Sequence, residues 1–137
     1  MDNIEVNELS NMVGSTFISV FHDEANEELV FERADKTKVV FWHEQDCCES
    51  VFIEDICGDL SDLIGYPILV AEERISEGPS DSYESSTYTF YEFRTIKGSV
   101  TVRWCGSSNG YYSESVAMFD TQSNAYNGYC RPCNTKI

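Results

Sequence analysis

Three short stretches of this sequence carry residue types that could do chemistry. The first, His43-Glu44-Gln45-Asp46-Cys47-Cys48-Glu49, sets an imidazole, three carboxylates and two thiols within seven residues. An imidazole beside a thiol is how a nucleophile is activated. Here, however, Glu44, Asp46, Glu49, Glu54 and Asp55 crowd the thiols and no Lys or Arg lies among them, and negative charge disfavours the thiolate. The pattern predicts a turn whose carboxylates cap backbone donors while one of the two adjacent thiols packs inside. The second stretch, Cys130-Arg131-Pro132-Cys133, has redox or zinc spacing. A redox thiolate needs a helix N-terminus, which nothing after Cys133 predicts, and zinc would need two further ligands drawn from His43, Cys47, Cys48 or Cys57. The third, Gly106-Ser107-Ser108-Asn109-Gly110, has the letters of a hydrolase elbow. That motif requires a following helix and a downstream histidine, whereas an alternating strand follows and both histidines, His22 and His43, precede it. No catalytic residue, metal or cofactor is therefore expected.

One further constellation suits binding. If Asn109-Gly110 turns a hairpin, Arg103, Trp104, Tyr111, Tyr112 and Glu114 gather across it. A cross-strand Arg–Glu pair beside aromatics serves structure first. The same set offers charge and stacking to a small ligand such as a nucleotide.

Such groups need elements to position them. Thr16–His22, Glu28–Arg33 and Lys38–His43 are rich in β-branched and aromatic residues and predict an antiparallel meander. Ser50–Ile56, Pro67–Ile75, Thr87–Thr95, Ser99–Cys105 and Tyr111–Phe119 add further strands. Val6, Leu9 and Val13 share one face of a short helix expected over residues 3–13, and Asp59 is placed to cap a short helix over Leu60–Ile64. The expectation is an α+β domain, mainly antiparallel sheet of about seven strands with one or two short helices, over residues 1–119. A polar tail over 120–137 completes it.

Charge narrows the partners. The 137 residues hold 24 Asp+Glu against 9 Lys+Arg, a net −15. Residues 1–80 hold 19 acids and 4 bases, while residues 81–137 hold 5 of each, so the imbalance is local. Nucleic acid and anionic membranes, which need clustered cations, are disfavoured. No apolar run approaches the roughly 18 residues of a membrane span, and no secretory signal opens the chain, which predicts a cytoplasmic location. In that reducing setting six cysteines favour unpaired thiols. The candidate interaction surface is acidic: Asp23, Glu24, Glu44, Asp46, Glu49, Glu54, Asp55, Asp59 and Asp62, presented to a basic protein.

The stretches HEQDCCESVFIEDICGDLSDLIGYPI (43–68) and TIKGSVTVRWCGSSNGYYSESV (95–116) resemble the signature segments of a small uncharacterised domain family of bacteriophages, prophages and their hosts. The resemblance spans roughly residues 12–119 and brings no activity or catalytic residue. It implies a phage accessory protein inside the host cell. With the charge, it leads us to expect a non-enzymatic antagonist of host defence, akin to anti-CRISPR or anti-restriction proteins, filling the basic groove of a nucleic-acid-binding effector. Two other readings remain open: a binder of a nucleotide immune signal through the Arg103 patch, and a metal or redox protein built on the cysteines.

Overall fold

Alternation decides which way each strand faces. The computed structural model describes residues 9–78 and 84–121. Its strands are β1 (Ser19–His22), β2 (Glu28–Glu32), β3 (Lys38–Trp42), β4 (Ser50–Cys57), β5 (Val70–Glu77), β6 (Ser85–Thr95), β7 (Gly98–Ser108) and β8 (Ala117–Asp120). They form two four-stranded sheets, ordered β1-β2-β3-β8 and β4-β7-β6-β5. Every strand pairing is antiparallel. Leu29, Phe31, Val39 and Phe41 of the first sheet and Tyr91, Phe93, Val100, Val102 and Trp104 of the second point into one shared core. Ring centroids of Phe31 and Phe93 lie 4.9 Å apart, and those of Phe41 and Tyr91 4.8 Å, so the sheets pack face to face as a sandwich. The first sheet is apolar on its other side too, where Phe21, Val30, Val40 and Phe119 form a row straight across its four strands.

The antiparallel order sorts the connections between two ends. At one, here the upper end, lie Asp23–Glu27, His43–Glu49, the finish of β5, the start of β6 and the crossover from Asn109 to Val116. At the lower end lie Arg33–Thr37, Gly58–Leu69 and Ile96–Lys97. The lower end is closed by apolar side chains. Met12, Phe17, Leu63 and Ile68 are fully buried there, held by bridges from Val13 to Ile68 and from Phe17 to Ile64. Arg33 closes the same end with a two-toothed ion pair to Asp120, both N···O distances 3.0 Å.

Four expectations change. The mainly antiparallel sheet and the meander stand, but the strands number eight in two sheets and the helical share of the expected α+β domain shrinks. The named helical element among the described residues is a single 3-10 turn, Leu60–Leu63, capped as expected by Asp59, whose carboxylate accepts from the Ser61 backbone and hydroxyl. Most of the helix expected over 3–13 lies outside the described residues. Asn109-Gly110 does not turn a hairpin. Both edges of β7 are already taken, by β4 and β6, so the returning chain finds no free edge and crosses instead to pair with β3. The strand expected from Tyr111 consequently starts only at Ala117, and Asp120, expected in the tail, ends it as a buried residue. The remainder of the expected tail, with Cys130 and Cys133, lies outside the described residues. Among the described residues, no helix is long and apolar enough to cross a membrane.

Candidate functional site

Charge separates by end rather than by half of the chain. The upper connections carry Asp23, Glu24, Glu27, Glu44, Asp46, Glu49 and Glu114, with Glu77 closing β5 and Glu84 just before β6. No Lys or Arg occurs among the described residues of those connections. The lower connections balance Asp35, Asp59 and Asp62 with Arg33, Lys36 and Lys97. Strand β4 has eight residues and so spans roughly 26 Å between the ends. The nine acids proposed from sequence are thus not one surface. Asp23, Glu24, Glu44 and Asp46 share the upper end, Glu54 and Asp55 lie along β4, and Asp59 and Asp62 sit at the opposite pole. Glu84 and Glu114, from the electrically neutral part of the sequence, belong with the acidic end.

The ninth acid, Glu49, is buried and does something else. Its Oε2 lies 2.6 Å from His43 Nε2, and its two oxygens accept the backbone N–H groups of Asp46 and Cys47. The other imidazole nitrogen, Nδ1, faces the Ser115 carbonyl at 2.6 Å. Both ring nitrogens are thereby engaged, Nδ1 with a carbonyl that can only accept and Nε2 with the Glu49 carboxylate. The His43 hydrogen bond is the largest cause holding the Glu49 carboxyl down to about 2, and it outweighs burial, which pushes the other way. The pair ties the β3–β4 connection to the crossover. It also leaves no imidazole nitrogen for a thiol, so the Cys–His nucleophile is not assembled.

The crossover has a second anchor. Glu114 accepts hydroxyl hydrogen bonds from Ser85, Thr87 and Ser108, at 2.5, 2.7 and 2.6 Å. Burial opposes its ionisation, but the three hydroxyls together hold it below the usual carboxylate range. Gly106 lets the crossover lie this close, since a Cβ there would stand 2.6 Å from the Glu114 carbonyl oxygen. Turn Asp23–Glu28 is fixed likewise: the Asp23 carboxylate accepts the Glu27 and Glu28 amides, and the Asn26 carbonyl accepts from Ile53 of β4. The acidic side chains therefore stand on pinned backbone. The expected capping of backbone donors by the carboxylates of the 43–49 turn holds for Glu49, which accepts from Asp46 and Cys47, but the long-range anchors were missed, with Ser115 lying 72 residues from His43.

The hairpin patch does not come together. Trp104 is a core residue at 1% exposure, whereas Tyr111 stands out at 81%. Arg103 pairs with Glu54 at 2.9 Å instead of Glu114, and its guanidinium lies over the Tyr88 ring on the outer face of the second sheet. Cys47 and Cys48 are both exposed and joined to each other as a disulfide, so neither is the expected buried thiol. Cys105 is a free thiol kept protonated by burial and by Glu54. Among the described residues, no group of three or more His, Cys, Asp or Glu side chains is disposed to hold a metal.

Fold and site together define a two-sheet antiparallel β protein whose pinned connections converge on one acidic end. The chain belongs to the family described as domain of unknown function DUF7448, whose model matches residues 10–118, from just before the buried Met12 into β8. No curated protein and no solved structure matches it.

Proposed function

We propose that this protein is a non-enzymatic binding protein that presents its upper end to a basic surface of another protein. The observation that carries the reading is the upper end itself: carboxylates from four separate connections, no described Lys or Arg among them, on backbone fixed by His43–Glu49 and Glu114. A pre-ordered array of negative charge spends little ordering entropy on binding and steers a cationic partner toward it. In its sharper form the partner is a host nucleic-acid-binding defence protein, and the acidic end occupies its phosphate-binding groove. The phage resemblance of the 43–68 and 95–116 stretches supports that form.

Matched neutralisation at the two poles tests it. Glu24→Gln with Glu44→Gln is expected to abolish low-salt capture of a basic partner from host lysate, while Asp59→Asn with Asp62→Asn retains it. Capture by the parent is expected to vanish at high salt, where exposed charges are screened. Equal capture by both double variants, or capture indifferent to salt, sinks the reading.

A further inference from the structure

The four sheet edges are guarded unequally. Edge strands β1 and β8 have four residues each, and β4 is kinked by a register shift between Ile53 and Asp55. Shortness and bulges are the usual protections of a free edge. Strand β5 has neither: it runs eight residues in unbroken register, Val70 to Glu77, and among the described residues pairs only with β6. Its residues from Glu72 onward are exposed, Ile75 at 62%. Its guard is charge alone. Glu72, Glu73 and Glu77 outnumber Arg74, whose guanidinium is drawn over the Phe90 ring 5.1 Å away.

Beside this edge the sandwich is open. A cleft of about 390 Å³ separates β5 from the end of the crossover and β8, and Leu9, Ala71, Val116 and Met118 make its apolar walls. Tyr91 forms the floor and donates its hydroxyl to Glu73 Oε2 at 2.7 Å, fixing that carboxylate at the cleft. A second copy of this chain is a poor occupant, because two β5 strands, each with three glutamates against one arginine, bring like net charge together. An extended segment bearing Lys or Arg meets the opposite sign, and its backbone completes the sheet.

We propose that β5 is a strand-addition site for an extended basic peptide, paired along Val70–Glu77 with an apolar side chain in the cleft and cations opposite Glu73 and Glu77. Main-chain hydrogen bonds give such a site its affinity and the adjoining pocket gives it selectivity. The inference stands apart from the acidic-end reading, although Glu77 lies at the junction of the two surfaces.

The probe is a labelled octapeptide, Lys-Thr-Val-Thr-Lys-Thr-Leu-Thr, which in antiparallel register sets its two Lys opposite Glu77 and Glu73 and its Leu opposite Ala71 on one face, titrated against the full chain by fluorescence anisotropy. Two isomers N-methylated on alternate residues separate strand pairing from charge. The isomer methylated on the pairing edge is expected to bind at least about tenfold more weakly, and the other like the parent peptide. Bound peptide is also expected to slow hydrogen exchange at the β5 amides. Ala71→Trp, which fills the cleft, weakens binding, and Glu73→Lys does so without altering an apolar wall; Glu24→Gln with Glu44→Gln leaves it intact. Equal binding of both methylated isomers, equal binding of the same peptide with Glu in place of both Lys, or unchanged β5 exchange overturns the proposal. Loss confined to the Glu24 and Glu44 variant places the peptide at the acidic end and likewise overturns it. Strand addition with no salt-sensitive partner capture would instead retire the acidic-end function and leave this site standing.

Discussion

The two ends of the sandwich are closed by different physics. Below, Met12, Phe17, Leu63 and Ile68 are fully buried apolar residues, and a neutral balance of charge surrounds them. Above, the chain is held by a buried His43–Glu49 pair and by a carboxylate among hydroxyls. Below, apolar packing, itself indifferent to pH, is joined by the buried Arg33–Asp120 ion pair, whereas the upper closure rests on the carboxylates of Glu49 and Glu114. The difference sets apolar closure at one end of the strand axis and pinned negative charge at the other. The lower end holds the sheets together; the upper end spends its polar groups on keeping negative charge in place.

The largest expected effect breaks the lower end. Phe17 is fully buried, with its ring 5.1 Å from that of Phe31 and the Arg33 guanidinium over its face. Phe17→Ala is expected to lose about 3–5 kcal/mol of unfolding free energy, the usual range for emptying an aromatic site. Urea denaturation measures it. A loss below about 1 kcal/mol would mean that this end is not closed by apolar packing.

The next effect belongs to the upper end and depends on pH. Glu49 titrates at about 2 in the fold against an ordinary 4.5, so the folded state favours its ionised form. Its contribution is fully present above the ordinary value and is lost as pH falls toward about 2. Melting temperature followed from neutral pH downward is therefore expected to fall through that window. Glu49→Gln should start lower at neutral pH and lose less across the window, since the group that takes up the proton is gone. A variant with the parent's full acid-induced drop would remove Glu49 from the upper lock.

What the sequence disclosed follows this same division. Alternation in Leu29–Phe31, Val39–Phe41 and Tyr91–Trp104 is a local property, so the strands and the meander were legible, as was the Asp59 cap. Local signals failed where a residue's role depends on a distant edge. Asn109-Gly110 reads as a hairpin, but the two places beside β7 are filled by strands from elsewhere in the chain. Glu49 reads as one more surface acid because Ser115, which orients its histidine, lies 72 residues from His43. The acidic face was legible only as a count. Dividing the chain at residue 80 put Asp59 and Asp62 with Glu24 and Glu44, while the topology sends the pairs to opposite poles.

A smaller effect isolates charge from fold. Glu24 and Glu44 are exposed, and no hydrogen bond from their side chains joins them to other described residues. Neutralising both is expected to change stability by no more than about 0.5 kcal/mol. A larger loss by urea denaturation would mean that the acidic end is structural and that any lost capture reflects unfolding.

The smallest expected change in stability is at Tyr111, and it sharpens what the acidic end contacts. The side chain is 81% exposed, and its ring meets Tyr112 edge-on at 4.9 Å. It stands on the crossover, whose backbone is fixed on either side by Ser108 and Glu114. An exposed aromatic on pinned backbone loses little entropy on contact and is the residue type that anchors interfaces. Tyr111→Ser is therefore expected to leave unfolding free energy within about 0.5 kcal/mol of the parent while weakening capture of the basic partner. Because the variant removes no charge, the residual capture should keep the parent's dependence on salt. If capture is unchanged while Glu24→Gln with Glu44→Gln abolishes it, the contact is electrostatic alone and stops at the turn and the β3–β4 connection. If both variants weaken capture, the interface extends onto the crossover, and the His43 bridge to Ser115 joins its two halves.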